Sequence, residues 1–225
     1  MKKVLLTVSG NIVEDIEEQI AQGKRPMADY VAMARTFGAD LLDYRKARQA
    51  AGWFGKLLDK AGGGNLLLAW KCYRLRRQYQ VIFTDGEQVG IPLAILFKFI
   101  GFGRRARHLM IAHILSVPKK TRLFDWLGIA RQIDLFFPYS TWQKRFIETR
   151  WKVPAERVIF TPFMVDARFF APEMALGDSH LPLPADPALP VICAVGLEFR
   201  DYPTLIQAVN GLKVHLVIAH ILSVP

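Results

Sequence analysis

Small and polar residues directly follow the short apolar segments of this chain, where the strands of a parallel sheet would end. They are Ser9, Gly10 and Asn11, then Asp85 and Glu87, then His113, and finally Ser140. In a doubly wound sheet, ligands bind beyond the carboxyl ends of the strands. A glycine loop brings backbone N–H groups to a phosphate, carboxylates orient hydroxyl groups, and an imidazole donates to either. These residue types therefore predict a site for a ligand with hydroxyl and phosphate groups.

Each of these residues also has a purely structural explanation. Asp85 and Glu87 can cap the helix that follows them and interact with its dipole. Residues 9–11 suit a tight turn from strand to helix, and Ser140 can begin a helix after Pro138. A histidine such as His113 can be held by hydrogen bonds within its loop. The sequence leaves both interpretations open at every position.

Apolar runs and helical patterns alternate through the first 170 residues. The predicted strands are residues 4–8, 41–42, 81–84, 109–113, 133–137 and 158–161. The predicted helices are residues 27–37, 66–78, 91–100, 119–131 and 141–152. Near-continuous apolar strands separated by helices indicate an α/β fold with a parallel sheet that is covered on both faces.

Two local features carry further expectations. Residues 51–65 contain five glycines between helical patterns, which predicts a flexible insertion or lid and disfavours a phosphate cradle. His108 begins the strand that His113 ends, next to a run of arginines. We expect His108 to lie at the surface.

The chain divides into two predicted domains. Residues 1–170 form an N-terminal Rossmann-like domain, residues 171–189 a proline-rich linker, and residues 190–219 the strand, helix and strand that open a second Rossmann-like domain. Residues 218–225 copy residues 111–118 letter for letter. Structural repeats diverge in sequence, so we interpret the copy as an assembly artefact rather than a genuine repeat, and His220 as no second site.

Positive charge is concentrated in the first domain. The net charge is +10, with nine Lys or Arg against one acid in residues 45–77, and seven against none in residues 98–122. Interleaved aromatic residues make an anionic membrane surface or lipid acceptor one interpretation of this charge, and a solvated helix face another. A nucleic acid is disfavoured, because the chain resembles no nucleic-acid-binding module.

Several classes of protein are excluded or disfavoured by the sequence. The dinucleotide fingerprint is absent after the first strand, and neither a P-loop nor a nucleophile elbow occurs. Cys72 and Cys193 lack the spacing of a metal site or a disulfide framework, which favours a reducing cytoplasm. The first apolar run is only a strand in length, and residues 90–102 are too short to span a bilayer. We expect a cytoplasmic protein that can associate peripherally with the inner face of the membrane.

Five motifs, taken in order, resemble those of a known family. They are TDGE at 84–87, IAH at 111–113, PYSTWQ at 138–143, TPFMVD at 161–166 and VGLEFRDYPTL at 195–205. In order and spacing they resemble the retaining GT-B glycosyltransferases of family four, across nearly the whole chain up to Ala219. The chain departs from the family pattern at Phe163 and Met164, where the family has Asn-Gly, and at Leu197, where it has arginine.

The resemblance implies two Rossmann-like domains, the first for the acceptor and the second for a nucleoside-diphosphate sugar. The implied roles are catalytic for His113, donor and phosphate binding for Ser9, Gly10, Asn11, Gly196 and Arg200, and acceptor binding for Asp85, Glu87 and Ser140. No metal and no cofactor besides the sugar-nucleotide co-substrate are implied. The family's paired glutamates would lie beyond Pro225, so we expect this chain alone to turn over little substrate.

The expected function is transfer of a hexose, with retention, to an unidentified acceptor such as a lipid or a polysaccharide. Two alternatives belong to other classes. One is a non-catalytic basic fragment that docks on an anionic membrane or a partner protein. The other is a sugar-nucleotide epimerase with the GT-B fold.

Overall fold

The computed structural model describes residues 2–103, 106–171, 186–196 and 200–219. The chain divides into two compact units, Met1–Phe170 and Ala171–Pro225, at the position where the sequence predicts the linker to begin. Most of that linker, the Leu197 position and the copied residues 220–225 with His220 lie outside the described residues.

The first unit alternates strands and helices. Its strands are β1 (Lys2–Thr7), β2 (Asp40–Leu42), β3 (Tyr79–Thr84), β4 (Arg107–Ala112) and β5 (Leu135–Pro138). Its α-helices are α1 (Ile16–Ala21), α2 (Asp29–Phe37), α3 (Tyr44–Gln49), α4 (Trp53–Leu75), α5 (Glu87–Ile100), α6 (Pro118–Leu127) and α7 (Thr141–Trp151). Short 3₁₀ turns occupy Ile129–Gln132 and Ala155–Arg157.

The five strands form one parallel sheet in the order β2-β1-β3-β4-β5. The predicted α/β class is confirmed, and the sheet is consistent with a Rossmann-like fold. Strand order reverses between β1 and β3, because the chain leaves β1 toward one edge and later adds β3, β4 and β5 toward the other. This topological switch point is where open α/β sheets bind their ligands.

One face of the sheet carries the main core. Every second side chain along a strand points to the same face of the sheet. The register therefore places Leu5, Ile82, Met110 and Phe136 on one face. These residues pack against buried side chains of α3 to α7, such as Leu67 of α4. Fully burying an aliphatic side chain contributes about 1.5–3 kcal/mol, so this layer is the principal source of the unit's stability.

The opposite face is less completely covered. There α2 contacts β1 and β2, while Val81, Phe83, Leu109 and Phe137 remain only half-buried. Purely parallel sheets normally have helices on both faces. The prediction of cover on both faces therefore holds over β1 and β2, but only partly over the other three strands.

The predicted lid at residues 51–65 is wrong, because residues 53–65 form the first half of α4. Two of its glycines allow close packing: a Cβ on Gly64 would lie 2.4 Å from the Tyr44 ring, and one on Gly55 would lie 3.2 Å from Leu67. Only Gly63, with φ of 68°, interrupts the helical geometry and kinks α4.

The surface prediction for His108 is also wrong. Its side chain is fully buried, 3.2 Å from the Thr84 hydroxyl and edge-on to the Phe97 ring. The predicted strand at 158–161 is shorter than expected. Val158 forms a parallel bridge with Phe136, and the chain then runs along the edge of β5.

The second unit contains β6 (Val191–Val195), α8 (Tyr202–Val209) and β7 (His215–Ala219). The two strands are parallel and pair along their whole length. The Asp201 carboxylate caps α8 by accepting from the backbone N–H of Thr204 at 3.1 Å. No helix in the described parts of either unit is long and apolar enough to cross a membrane.

Candidate functional site

The carboxyl ends of four adjacent strands bring Ser9, Asp85, His113 and Tyr139 together at the switch point. Ser9 follows β1, Asp85 follows β3, His113 follows β4 and Tyr139 follows β5. Parallel strands all end at the same edge, so residues up to 130 positions apart in sequence can converge there. We call these four residues the switch-point cluster.

Asp85 links the cluster to β1. Its carboxylate accepts hydrogen bonds from the Thr7 hydroxyl at 2.6 Å, the Ser9 backbone N–H at 2.5 Å and the Ser9 hydroxyl at 3.1 Å. Burial raises the pKa of Asp85 above its ordinary value, and the three donors oppose that rise without cancelling it. A carboxyl group with a raised pKa at a ligand-binding edge is a candidate for acid–base work or for orienting a hydroxyl.

His113 is exposed and lies against two members of the cluster. Its Nε2 is 3.2 Å from the Asp85 carbonyl oxygen, and its ring stands edge-on to the Tyr139 ring with 5.1 Å between centroids. These contacts orient the imidazole while leaving the side chain open to solvent. The ring can therefore meet a ligand at the strand ends.

Glu87 lies beneath the cluster and is only 3% exposed. Its carboxylate accepts from the backbone N–H groups of His113 at 3.0 Å and Ile114 at 3.1 Å, and from the Lys120 ammonium at 2.6 Å. Burial alone would raise the pKa of Glu87, but these donors outweigh it and hold the pKa below its ordinary value. This arrangement favours a positioning role, acting through the loop that carries His113.

The loop of residues 9–11 is held from both sides. The Ser9 N–H donates to Asp85, and the Gly10 N–H donates to Val8 at 2.9 Å. On the other side, the buried Asp43 carboxylate accepts from the Ile12 N–H at 2.9 Å. The backbone donors predicted to face a phosphate at Ser9 and Gly10 are thus engaged within the unit.

Asn11 and Ser140 lie at the rim. Asn11 is exposed. Ser140 caps α7 by accepting from the Gln143 N–H at 3.1 Å, which is the structural explanation considered for it above. An acceptor role for Ser140 stays a prediction.

Two tyrosines near the site were not among the predicted site residues. The pKa of Tyr139 is raised to about 12 by burial and by the negative charges of Asp29 and Asp85. Tyr44 follows β2, and burial together with the charge of Asp85 raises its pKa as well. Tyr139 directly follows β5, and Tyr44 lies one residue beyond the residue that follows β2. Their position after a strand was the signal in the sequence that could have identified them.

In the second unit, Gly196 and Arg200 lie side by side. A Cβ on Gly196 would be 2.2 Å from Nε of Arg200, so the missing side chain lets the guanidinium approach the end of β6. The Tyr202 hydroxyl donates to the Gly196 carbonyl at 2.7 Å, which links the start of α8 to the residue after β6. Arg200 and the first residues of α8 line a surface pocket of about 390 Å³.

The described residues contain no group of three His, Cys, Asp or Glu that could hold a metal ion. Chemically, the switch-point cluster offers an imidazole, a carboxyl group with a raised pKa and two hydroxyl groups. The second unit offers a guanidinium beside the beginning of a helix, where backbone N–H groups favour negative charge.

Comparison with known proteins does not assign the chain to a family. No family model matches the chain, and no curated protein matches it significantly.

We expect Thr7→Val to raise the pKa of Asp85 further. The substitution removes a 2.6 Å hydrogen bond to the carboxylate while retaining a branched side chain at a fully buried position. A carboxyl ¹³C NMR titration of Asp85 measures the change, with exposed Asp201 as an internal reference whose titration should not move. An unchanged or lowered Asp85 pKa in the variant would mean that the Thr7 hydroxyl does not stabilise the charged form.

Proposed function

We propose that this protein is a retaining glycosyltransferase of the GT-B type, which moves a hexose from a nucleoside-diphosphate sugar to a hydroxyl group of an acceptor. The observation that carries the proposal is the convergence of Ser9, Asp85 and His113 at the switch point of a parallel sheet. These are the residues that the resemblance to family four assigns to donor binding, acceptor binding and catalysis.

The first unit supplies the groups that meet the sugar and the acceptor. In the proposed reaction the Nε2–H of His113, which faces the Asp85 carbonyl in the structure, turns to donate a hydrogen bond to the transferred sugar. Asp85, held by Thr7 and Ser9, accepts from the acceptor hydroxyl that attacks. Glu87 acts indirectly, because it fixes the backbone of His113. His113 and Asp85 thus touch the substrates in the proposal, whereas Glu87 does not.

The second unit supplies the charge for the leaving group. Negative charge builds on the nucleoside diphosphate as the glycosidic bond breaks, and fixed positive charge and backbone dipoles stabilise it. Arg200 lies beside Gly196 and precedes the first turn of α8. In the proposal Arg200 and the first turn of α8 together replace the arginine that the family carries at the Leu197 position. Such a site requires no metal and no cofactor besides the sugar nucleotide.

Sugar transfer by the protein expressed from its complete gene tests the proposal. We expect a labelled hexose from one member of a panel of nucleoside-diphosphate sugars to appear in product with the anomeric configuration retained. Arg200→Ala should weaken donor binding roughly 10- to 100-fold, because a charge-assisted hydrogen bond is lost.

Lys213→Ala is the matched control, since it removes an exposed cation from the same unit. Equal donor affinity in the Arg200→Ala and Lys213→Ala variants would show that Arg200 does not bind the diphosphate. Release or rearrangement of the sugar nucleotide without transfer to any acceptor would contradict the transferase and favour the epimerase.

An exposed aromatic and basic surface favours a second function, docking on an anionic membrane. Trp53, Phe54, Trp70 and Tyr73 form a continuous series of ring contacts, and the Tyr73 hydroxyl donates to the Ile100 carbonyl at 2.7 Å. We define the aromatic–basic surface as these four aromatic residues together with Phe102, Lys56, Arg74, Arg76 and Arg77. Trp53 is 80% exposed and Phe102 is 83% exposed. Exposed aromatic rings beside cations suit the interface of an anionic bilayer.

The surface should bind vesicles that contain anionic lipid, and binding should weaken as salt rises. Each cation near such a surface contributes about 1 kcal/mol, and the Debye length shortens from about 30 Å to about 10 Å between 0.01 and 0.1 M salt. Lys56→Glu combined with Arg74→Glu and Arg77→Glu should abolish flotation with the vesicles. Arg76 is left unchanged in this variant, because its guanidinium lies 4.0 Å over the Tyr73 ring.

The same reversal of Lys24, Arg145 and Arg168 is the control, since these exposed cations lie outside the aromatic–basic surface. Equal loss of binding in the two triple variants would show that only net charge matters. Equal binding to neutral and anionic vesicles would contradict membrane docking through this surface.

A further inference from the structure

The less covered face of the five-stranded sheet contains an apolar groove of about 350 Å³. Its floor is formed by side chains of three neighbouring strands, namely Val81, Phe83, Leu109, Ile111 and Phe137. Met33 and Phe37 of α2 form one wall, and Met164 lies on the other side. Among the described residues that line the groove, every side chain apart from those of Tyr139 and Thr161 is aliphatic, aromatic or a thioether.

The groove begins at the candidate site. Tyr139 lines its end at the carboxyl edge of the sheet, and the same ring contacts the rings of His113 and Phe163, with centroid distances of 5.1 and 5.2 Å. From the level of Val81 to that of Tyr139 the register spans about six residues, or roughly 20 Å. A ligand with its hydroxyl-bearing end at His113 can therefore continue into the groove without leaving the surface of the unit.

We propose that this groove binds the alkyl chain of an amphipathic acceptor, whose hydroxyl-bearing head lies at the switch-point cluster. The acceptor role rests on the proposed function, whereas binding of the chain rests on the groove itself. The described residues of the groove offer almost no polar partner, so a polar ligand buried against them would lose its hydrogen bonds to water without replacement. An alkyl chain has none to lose.

The size of the groove suits a small molecule. A volume of about 350 Å³ falls in the range of small-molecule sites. The exposed rings of Phe37 and Phe163 extend the apolar surface at the margins of the groove, as is common where a ligand binds.

Binding of alkyl glucosides to the full 225-residue chain tests the inference. Methyl, hexyl and octyl β-glucoside are titrated below their micelle concentrations and followed by calorimetry. Each buried methylene should tighten binding about fourfold, so octyl glucoside, with two more methylenes, should bind about 15-fold more tightly than hexyl glucoside. Phe37→Glu and Met164→Glu should remove most of this increment. Both residues are exposed, Phe37 by 52%, so these variants should still fold.

Phe102→Glu is the matched control, because it places the same charge at an exposed phenylalanine outside the groove. It should leave the increment unchanged while weakening vesicle binding. Equal affinities for the hexyl and octyl compounds, or equal loss in the Phe37 and Phe102 variants, would overturn the groove as the site of the chain.

The two proposals fail separately. Suppose that affinity rises with alkyl length, that Phe37→Glu removes this rise, and that the protein transfers no sugar. This result would support the groove and contradict the transferase. Transfer with equal efficiency to methyl and octyl acceptors would support the transferase and overturn the groove.

Discussion

In the protein expressed from its complete gene, His113→Ala should lower kcat for sugar transfer by about 100-fold or more, with little change in thermal stability. A positioned imidazole contributes roughly 10²- to 10⁴-fold when it donates to a reacting group. The side chain is exposed, so its removal leaves no cavity in the core. The large effect should therefore appear in kcat, and the melting temperature should stay close to that of the unsubstituted protein.

Two further variants make this result specific to the imidazole. His113→Gln retains an N–H donor that can reach the Asp85 carbonyl, so it should recover part of the activity. Trp142→Ala removes an exposed aromatic side chain outside the cluster and should leave kcat unchanged. Turnover of His113→Ala within a few-fold of the starting protein would exclude a catalytic role for this residue.

Glu87→Ala should lower the free energy of unfolding by about 3 kcal/mol at neutral pH. The substitution leaves the buried N–H groups of His113 and Ile114 without their acceptor and removes the partner of Lys120. The Lys120 side chain is about a third exposed and can recover water, which places the loss at the lower end of the range for a buried pair. Urea unfolding with a constant m-value measures the change.

The contribution of Glu87 should also depend on pH. Its native pKa is lower than that of the unfolded chain, so it contributes stability that is fully present above about 4.5. That contribution is lost as the pH falls through the lowered native value. Glu87→Gln should therefore lose less stability than the original protein on acidification. Lys120→Met should cost less than Glu87→Ala, because the carboxylate keeps both backbone donors. Identical acid sensitivity in Glu87→Gln would show that another group is responsible.

The sequence by itself determined the α/β class and the residues at the strand ends. Short apolar runs such as residues 81–84 can only be buried strands in this context, and the helical patterns between them require parallel connections. Because parallel strands end at one edge, the positions of Asp85 and His113 after their strands already implied that they meet. Both lie at the switch point, and Nε2 of His113 is 3.2 Å from the Asp85 carbonyl.

Only the tertiary structure decided how individual side chains are used. Glu87 and Asp85 are two residues apart, yet one is buried under the His113 loop and the other reaches across to Ser9. Within residues 51–65, Gly64 lies under the Tyr44 ring and Gly63 lies in the helix kink, and neither is part of a lid. Local pattern cannot distinguish a flexible glycine from a closely packed one, because the neighbour that requires it is distant in sequence.

The burial of His108 and the apolar groove have the same origin. His108 is buried because α5 places Phe97 against it, and the groove exists because α2 leaves part of one sheet face open. Hydrophobic periodicity is a property of neighbouring residues, so it can be read from the sequence. Which helix covers which strand depends on crossover geometry and on packing between distant segments, and that was decided only in the folded molecule.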